Sequence, residues 1–392
     1  MSQSKIIKIT IYVLSSIFLF IFLYFFNRGT VVSFNQQGGP AYTKYEKAKV
    51  ITIVEESLEK DGNIRNLYRG YQELEVKILT GEHKGKVHII KNYLSNLFNV
   101  HAKEGLNIIV CIDTANPQAY SVSVYSYHRS LVLFGLIILF FALLWGIGGR
   151  KGFKSIVGLV FTFVSIIFLL LPMLYRGYSP IFSSVVIVVL TTCVTLFLLN
   201  GWSFKTISAV LGTTLGVIIA GIVSSLAGYL CHVTGFHTEE VETLVVIARD
   251  HGMQIEGLLF AGILIASLGA IMDVAMSIAS SIHEIYCANP KLGKKGLFLS
   301  GINVGRDMMG TMSNTLILAF TGTSLNSLIL IYSYNVSYNQ LINMNMIGIE
   351  IVQGLSGSIA IILTVPIIAF ISSRLIPNRR QNYNQSNNLK RL

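Results

Sequence analysis

Leu258-Leu259-Phe260-Ala261-Gly262-Ile263-Leu264-Ile265-Ala266-Ser267-Leu268-Gly269-Ala270-Ile271-Met272-Asp273-Val274-Ala275-Met276-Ser277-Ile278-Ala279-Ser280-Ser281 carries a single charged side chain, Asp273. As an α-helix rising about 1.5 Å per residue, the run is long enough to cross the roughly 30 Å hydrocarbon core of a bilayer, and a helix satisfies its own backbone polar groups where water is absent. It reads as a transmembrane helix. Composition agrees: of 392 residues 52% are apolar and 12% charged, and the mean hydropathy is +0.62. A soluble chain carries about twice that charge fraction.

Working outward, comparable runs occupy residues 6–26, 131–147, 156–171, 181–199, 207–230, 315–331 and 347–371. Together they predict an α-helical polytopic membrane protein with about eight transmembrane helices. Lys5 and Lys8 precede the first run as they would a signal sequence. Phe25, Phe26, Asn27 and Arg28 offer no small-residue cleavage site after it, so residues 1–26 are expected to remain as an anchor.

The formal net charge of +11 does not form a nucleic-acid-binding face, because the cations gather at the ends of apolar runs. One set of ends carries Lys5 and Lys8; Arg150, Lys151 and Lys154; Lys205; Lys291, Lys294, Lys295 and Arg306; Arg374, Arg379, Arg380, Lys390 and Arg391. The other set has little beyond Arg129, Arg176 and Arg249. Cations near span ends are retained in the cytoplasm, so both termini are expected there.

Residues 27–128 are mixed in composition and fall on the outside, as a folded domain. β-branched or alternating stretches at 49–56, 74–80, 86–91, 106–113 and 119–127 are separated by turns such as Thr80-Gly81-Glu82-His83-Lys84-Gly85. This pattern fits a small extracytoplasmic β-barrel-like domain of the OB type. It lacks a basic-aromatic stacking series, which favours a structural or docking module over a nucleic-acid reader. Residues 129–373 then form the membrane domain of about seven helices, and the Asn-, Gln- and Arg-rich 374–392 reads as a disordered tail.

The polar residues inside the spans carry the functional question. Gly262, Ala266, Gly269, Asp273, Ser277, Ser280 and Glu284 recur at steps of four and three, which places them on one helical stripe. Its first half is small enough for another helix to approach, and its second half is polar. Asp273 is either a hydrogen-bonded packing residue or part of an ion, proton or solute path. Residues 297–314 are broken by Gly301, Gly305 and Gly310 and carry Asn303, Arg306, Asp307 and Asn314. They read as a re-entrant or discontinuous element, or else as a cytoplasmic loop with a local Arg306–Asp307 pair. If helical, Asp307, Asn314 and Thr321 share one side. Glu350, Gly354, Gly357 and Thr364, with Gln353 beside them, make a third small and polar stripe, in which Glu350 either joins the path or reaches the interface. Gly212, Gly216, Ala220 and Ser224 read as helix packing.

Enzymatic and metal readings find little support. Gly354-Leu355-Ser356-Gly357 has the form of an intramembrane serine protease motif, yet none of the eight histidines lies deep in a span to act as its base. His283-Glu284 lacks the second histidine of a zinc protease. The loop holding His232, His237, Glu239, Glu240, Glu242, Asp250 and His251 matches no recurring ligand spacing and reads as a solvated acidic loop. Cys111, Cys193, Cys231 and Cys287 form no CxxC pair and no disulfide framework. No enzyme activity, no metal and no cofactor is expected.

Three segments resemble the YibE/F family of bacterial multi-pass membrane proteins: Gly269-Ala270-Ile271-Met272-Asp273-Val274-Ala275-Met276-Ser277-Ile278, then residues 300–316 from Ser300-Gly301-Ile302-Asn303-Val304-Gly305-Arg306-Asp307 to Ser313-Asn314-Thr315-Leu316, then residues 350–366. The resemblance runs from about the first anchor to the last span. It implies a bacterial cytoplasmic membrane and a shared polar core, and brings no substrate with it. The expected function is a transporter or exporter using Asp273, Ser277, Ser280, Glu284, Arg306, Asp307, Asn314, Glu350 and Gln353; the alternative is a non-transporting scaffold that presents the outer domain to a partner complex. Expected partners are the bilayer, a solute or ion, and a partner membrane subunit or further copies of the chain; nucleic acid is not among them.

Overall fold

The computed structural model describes residues 23–28, 43–114, 120–234, 236 and 241–377. The anchor before residue 23 and the tail from 378 lie outside the described residues. The chain divides into two compact units, Val31–Leu143 and Met1–Thr30 with Leu144–Leu392.

In the first unit, five strands form one antiparallel sheet: β1 (Thr43–Lys60), β2 (Tyr68–Ile78), β3 (Val87–Leu94), β4 (Asn107–Asp113) and β5 (Ser121–Tyr127), in the order β3-β2-β1-β4-β5. The long β1 pairs with β4 along its first half and with β2 along its second, with register shifts between Val50 and Thr52 and between Ile53 and Glu55. Such shifts bend a strand, and the sheet curls into a half-barrel. Alternation then sets the core: Leu74, Val76 and Ile78 from β2 meet Ile108, Val110 and Ile112 from β4 inside. At Gly70, φ is +122° and a Cβ would collide with the Ser57 carbonyl oxygen, so the β1–β2 pairing requires glycine there.

The second unit is helical. α1 (Ser130–Ser165), which begins in the first unit, continues through a π turn (Ile166–Leu170) into Leu171–Tyr175, 46 residues in all. Straight, it would measure roughly 70 Å, more than two bilayer cores. It is not straight: Gly149 has φ 53° and ψ −132°, a Cβ at Gly152 would strike the Leu144 carbonyl, and the Trp145 and Phe153 rings lie 5.5 Å apart. Residues that far apart in a straight helix are about 12 Å apart along the axis. The chain therefore folds sharply at Gly149.

After it come α2 (Pro180–Asn200), α3 (Phe204–Leu230), α4 (Val241–His251), α5 (Leu258–Ala288), α6 (Lys294–Thr323), α7 (Leu325–Ser333), α8 (Tyr338–Ile342) and α9 (Asn345–Leu375). Among the described residues, five helices are long and apolar enough to cross a membrane, α1 with its continuation counted as one, and six if α6 and α7, bent by 63°, form one span. α9 packs on α3, α5 and α6, α5 packs also on α3 and α6, and α2 packs on α3 and α5. Their shared core is apolar, with Ile271, Ile278, Ile282, Ile361 and Ile368 fully buried. At the start of the chain, the Asn27 side chain donates to the Phe168 carbonyl and the Arg176 guanidinium lies over the Phe26 ring.

Two expectations are corrected. Residues 297–314 are not a loop and are not broken at their glycines; they lie within the continuous α6, and the break of the α6–α7 pair, a broken span or a re-entrant element, comes later, at Ser324. Two of the three glycines that suggested interruption serve close packing, since a Cβ at Gly301 would sit 2.6 Å from Ile282 Cδ1 and 3.0 Å from Ala369 Cβ, and one at Gly305 would overlap Val365, whereas Gly310 faces open space. Within the presumed loop after α3, residues 241–251 are helical; His237, Glu239 and Glu240 lie outside the described residues.

Candidate functional site

α5 and α6 run antiparallel, and two glycine contacts fix their register. Gly301 abuts Ile282 and Gly305 abuts Ile278. Continuing at equal rise along both helices sets Asn303 level with Ser280, Asp307 with Met276, Gly310 with Asp273, and Asn314 with Gly269. The two stripes picked out separately in the sequence thus lie side by side, level for level.

Both stripes turn away from the bundle core. Along α5, Ile271, Val274, Ala275, Ile278, Ala279 and Ile282 are buried, whereas Asp273 and Glu284 are exposed and Ser277 and Ser280 half-buried. Along α6, Gly301, Gly305 and Leu316 face inward, and Asn303, Arg306, Asp307, Gly310 and Asn314 are exposed. Among the described residues, Asp273, Arg306, Asp307 and Asn314 have no hydrogen bond or ion pair; the expected local Arg306–Asp307 pair does not form. Asp273 stands at the midpoint of the 31-residue α5. A carboxylate or guanidinium at such depth costs about 2.5–3.5 kcal/mol to insert, so this face needs water, a partner or a ligand.

A cavity of about 380 Å³ opens beside the α5 stripe, lined by Gly269 and Met272 on one side and by Thr162, Thr191, Thr192 and Thr195 on the other. Thr191 returns its hydroxyl to the Ile187 carbonyl at 2.8 Å, but the buried Thr192 hydroxyl has no partner. Sequence reasoning passed over these threonines because a hydroxyl in an apolar helix usually bonds back to its own turn; the cluster Thr191, Thr192, Thr195 on one helix was the available signal.

Glu350 is placed apart from this face. It lines a second cavity of about 520 Å³ between α6, α7 and α9, with Ile317, Phe320, Thr321, Ser324 and Leu328, and its Oε2 is buried with no hydrogen-bond partner. Gln353 is half-buried one turn further along α9, and Ser356 is buried. The Gly212 and Gly216 ridge of α3 packs as expected, on Ile368 and on Thr364 with Ile271. Among the described residues no cluster of histidine, cysteine, aspartate and glutamate has a metal site's composition.

A bundle of apolar helices with charged groups at mid-span, joined to a curled antiparallel sheet, defines a polytopic membrane protein. Residues 136–378 match the family of YibE/F-like proteins, most of the chain, and the protein belongs to that family. Comparison with curated proteins and with solved structures gives no match.

Proposed function

We propose that this protein is a transporter or exporter of the bacterial cytoplasmic membrane, and that the lane shared by α5 and α6 is its polar path. The reading rests on one observation: Asp273 and Asp307, on adjacent helices and about one turn apart in depth, are unpaired among the described residues, with Ser277, Ser280, Asn303 and Asn314 along the same lane. Acidic groups held unpaired at bilayer depth are an investment that packing alone does not require, whereas a proton, a cation or a polar solute uses them. Arg306 and Glu284 mark the lane's end nearer the α5–α6 connection, and Glu350 with Gln353 offers a separate carboxylate on the α9 side.

In this reading the chain crosses about eight times: the anchor, the two limbs of α1 divided at Gly149, then α2, α3, α5, α6 with its bent extension α7, and α9. Both termini are cytoplasmic and residues 27–128 lie outside, where the half-barrel, whose central β1 pairs with β2 and β4 as in an OB-type barrel, gates the path or docks a partner. No catalytic step is part of it. The scaffold alternative draws on the sheet being a compact unit with its own core.

Purified protein in sealed vesicles, offered protons, alkali and divalent cations and a panel of small metabolites, tests the choice. Transport predicts flux that Asp273→Asn abolishes while the protein still inserts and keeps its helix content. No flux across the panel speaks for the scaffold, and flux unchanged by Asp273→Asn removes the α5/α6 lane as the path.

A further inference from the structure

We infer that the α5/α6 face is the interface between two copies of this chain, and that the polar lane becomes an enclosed path only between them. The pairing stands on the face itself; what the path carries rests on the transport reading above.

Glycines divide the surface first. Gly212, Gly216, Gly301, Gly305 and Gly357 are each filled against by a neighbouring helix of the same chain, while a Cβ at Gly262, Gly269 or Gly310 would meet no atom within 4 Å. The latter three lie on the outward stripes of α5 and α6, flanking and facing Asp273. Small residues at these steps let helix backbones come together in a bilayer, and among the described residues no side chain fills against them, Gly269 bordering instead the open cavity towards α1 and α2. The outward positions of α3 are the counterexample: Leu211, Leu215, Ile218, Ile222 and Leu226 are exposed, large and apolar, as an acyl chain requires. The face of α5 and α6 is unsuited to lipid in size and in charge.

Charge selects the occupant. The face carries both signs, with Asp273 on α5 and Asp307 and Arg306 on α6. Arg306 lies in line with Ser313 and Ile317, which meet Ser358 and Gly354 of α9, so it occupies the edge of α6 away from α5. By the register above, its level is that of Ser277, one turn from Asp273. A two-fold axis along the membrane normal brings equal depths together and makes the contact isologous. With the two α6 helices meeting at Gly310, α5 of each copy flanks the Arg306 edge of the other. Arg306 of one copy then reaches Asp273 of the second, and the reverse pair forms by symmetry. Asp307, Asn303 and Asn314 are left lining the lane between the copies. A single surface thus supplies both halves of its own complement.

Cysteine cross-linking of the full-length chain in native membranes tests this, with Cys111, Cys193, Cys231 and Cys287 first replaced. Gly310→Cys is expected to give disulfide-linked dimers on oxidation, and Asn314→Cys on the same stripe provides a second reading should the first insert poorly. Ile222→Cys, on the lipid-facing side of α3, is expected to stay monomeric. Arg306→Glu should weaken the Gly310→Cys cross-link, and the exchange Asp273→Arg with Arg306→Glu should restore it. Cross-linking at Gly310 and Asn314 no stronger than at Ile222, or loss without recovery in the exchanged pair, overturns the pairing. A monomer that transports sinks the pairing alone; a cross-linked dimer that shows no flux across the same panel sinks the transport reading alone.

Discussion

The sheet and the helical bundle treat polar groups in opposite ways. In the sheet, Gln72 and Asn92 are buried and every bond is closed: the Gln72 amide donates to Glu56 and to the Ala102 carbonyl, its oxygen accepts from Asn92 and from the Ala102 N–H, and Asn92 donates to the Val100 carbonyl. In the bundle, the buried polar groups include hydroxyls left without a partner, such as Ser183, Ser184, Thr213 and Ser372, Glu350 buries an unpartnered Oε2, and among the described residues Asp273, Arg306 and Asp307 stand unpaired on the outer face. Burying a polar group costs free energy unless its partners come with it, and the sheet brings them. The bundle, whose expected surroundings are hydrocarbon, reverses the pattern, and so the meaning of its exposed charges depends on what lies against them.

The contrast breaks hardest at the glycines. Gly305→Val pushes two methyls into Val365 inside the core, an overpacking worth about 3 kcal/mol or more, and a thermal-shift assay of solubilised protein should show a large drop in the midpoint. Gly310→Val, one helical step away on the open face, should leave the midpoint of the single chain almost unchanged. Next in size is Gln72→Leu. It leaves one N–H of the Asn92 amide and the Ala102 N–H without acceptors in the half-barrel core, at a cost of about 2–4 kcal/mol, and hydrogen exchange of the intact protein should quicken along β2 and β3.

A smaller effect follows pH. Half-burial, with Lys86 and His83 nearby, holds the His88 imidazole below its ordinary 6.5, and its Nε2 lies 3.0 Å from the Tyr120 hydroxyl. A histidine harder to protonate when folded costs nothing at neutral pH, and its unfolded form binds the extra proton as pH falls through 6.5. The half-barrel should therefore lose stability on acidification below that point, and His88→Asn should flatten the slope of unfolding midpoint against pH. The smallest change in fold is expected from Asp273→Leu. Among the described residues of one chain no contact is lost, so the melting temperature of the monomer should hold or rise while flux disappears; a clear drop in the monomer would mean that Asp273 supports packing within the chain.

Periodicity made much of this legible. The stripe from Gly262 to Glu284 does lie on one side of α5, and Asp307, Asn314 and Thr321 do share a side of α6, because a step of three or four residues fixes direction on any helix. Which way that side faces was not legible: the same spacing serves an inward path and an outward one, and only the glycine contacts with Ile282 and Val365 decide it. α6 was misread at its start because Arg306, Asp307 and three glycines lower its hydropathy, although each glycine keeps helical geometry. In the sheet, alternation located the strands of the core, but β1 runs on to Lys60 and β2 starts at Tyr68, where the pairing depends on the backbone at Gly70 rather than on side-chain alternation.

One backbone angle has reach out of proportion to its size. If the fold at Gly149 divides Ser130–Tyr175 into two crossings, every helix end from Pro180 onward exchanges compartments relative to a single long rod. Lys205, Lys294 and Arg374 would all change sides together. A residue with no side chain thereby acts as the parity bit of the topology, and straightening it would require the charge distribution of the remaining two hundred or so residues to be rewritten.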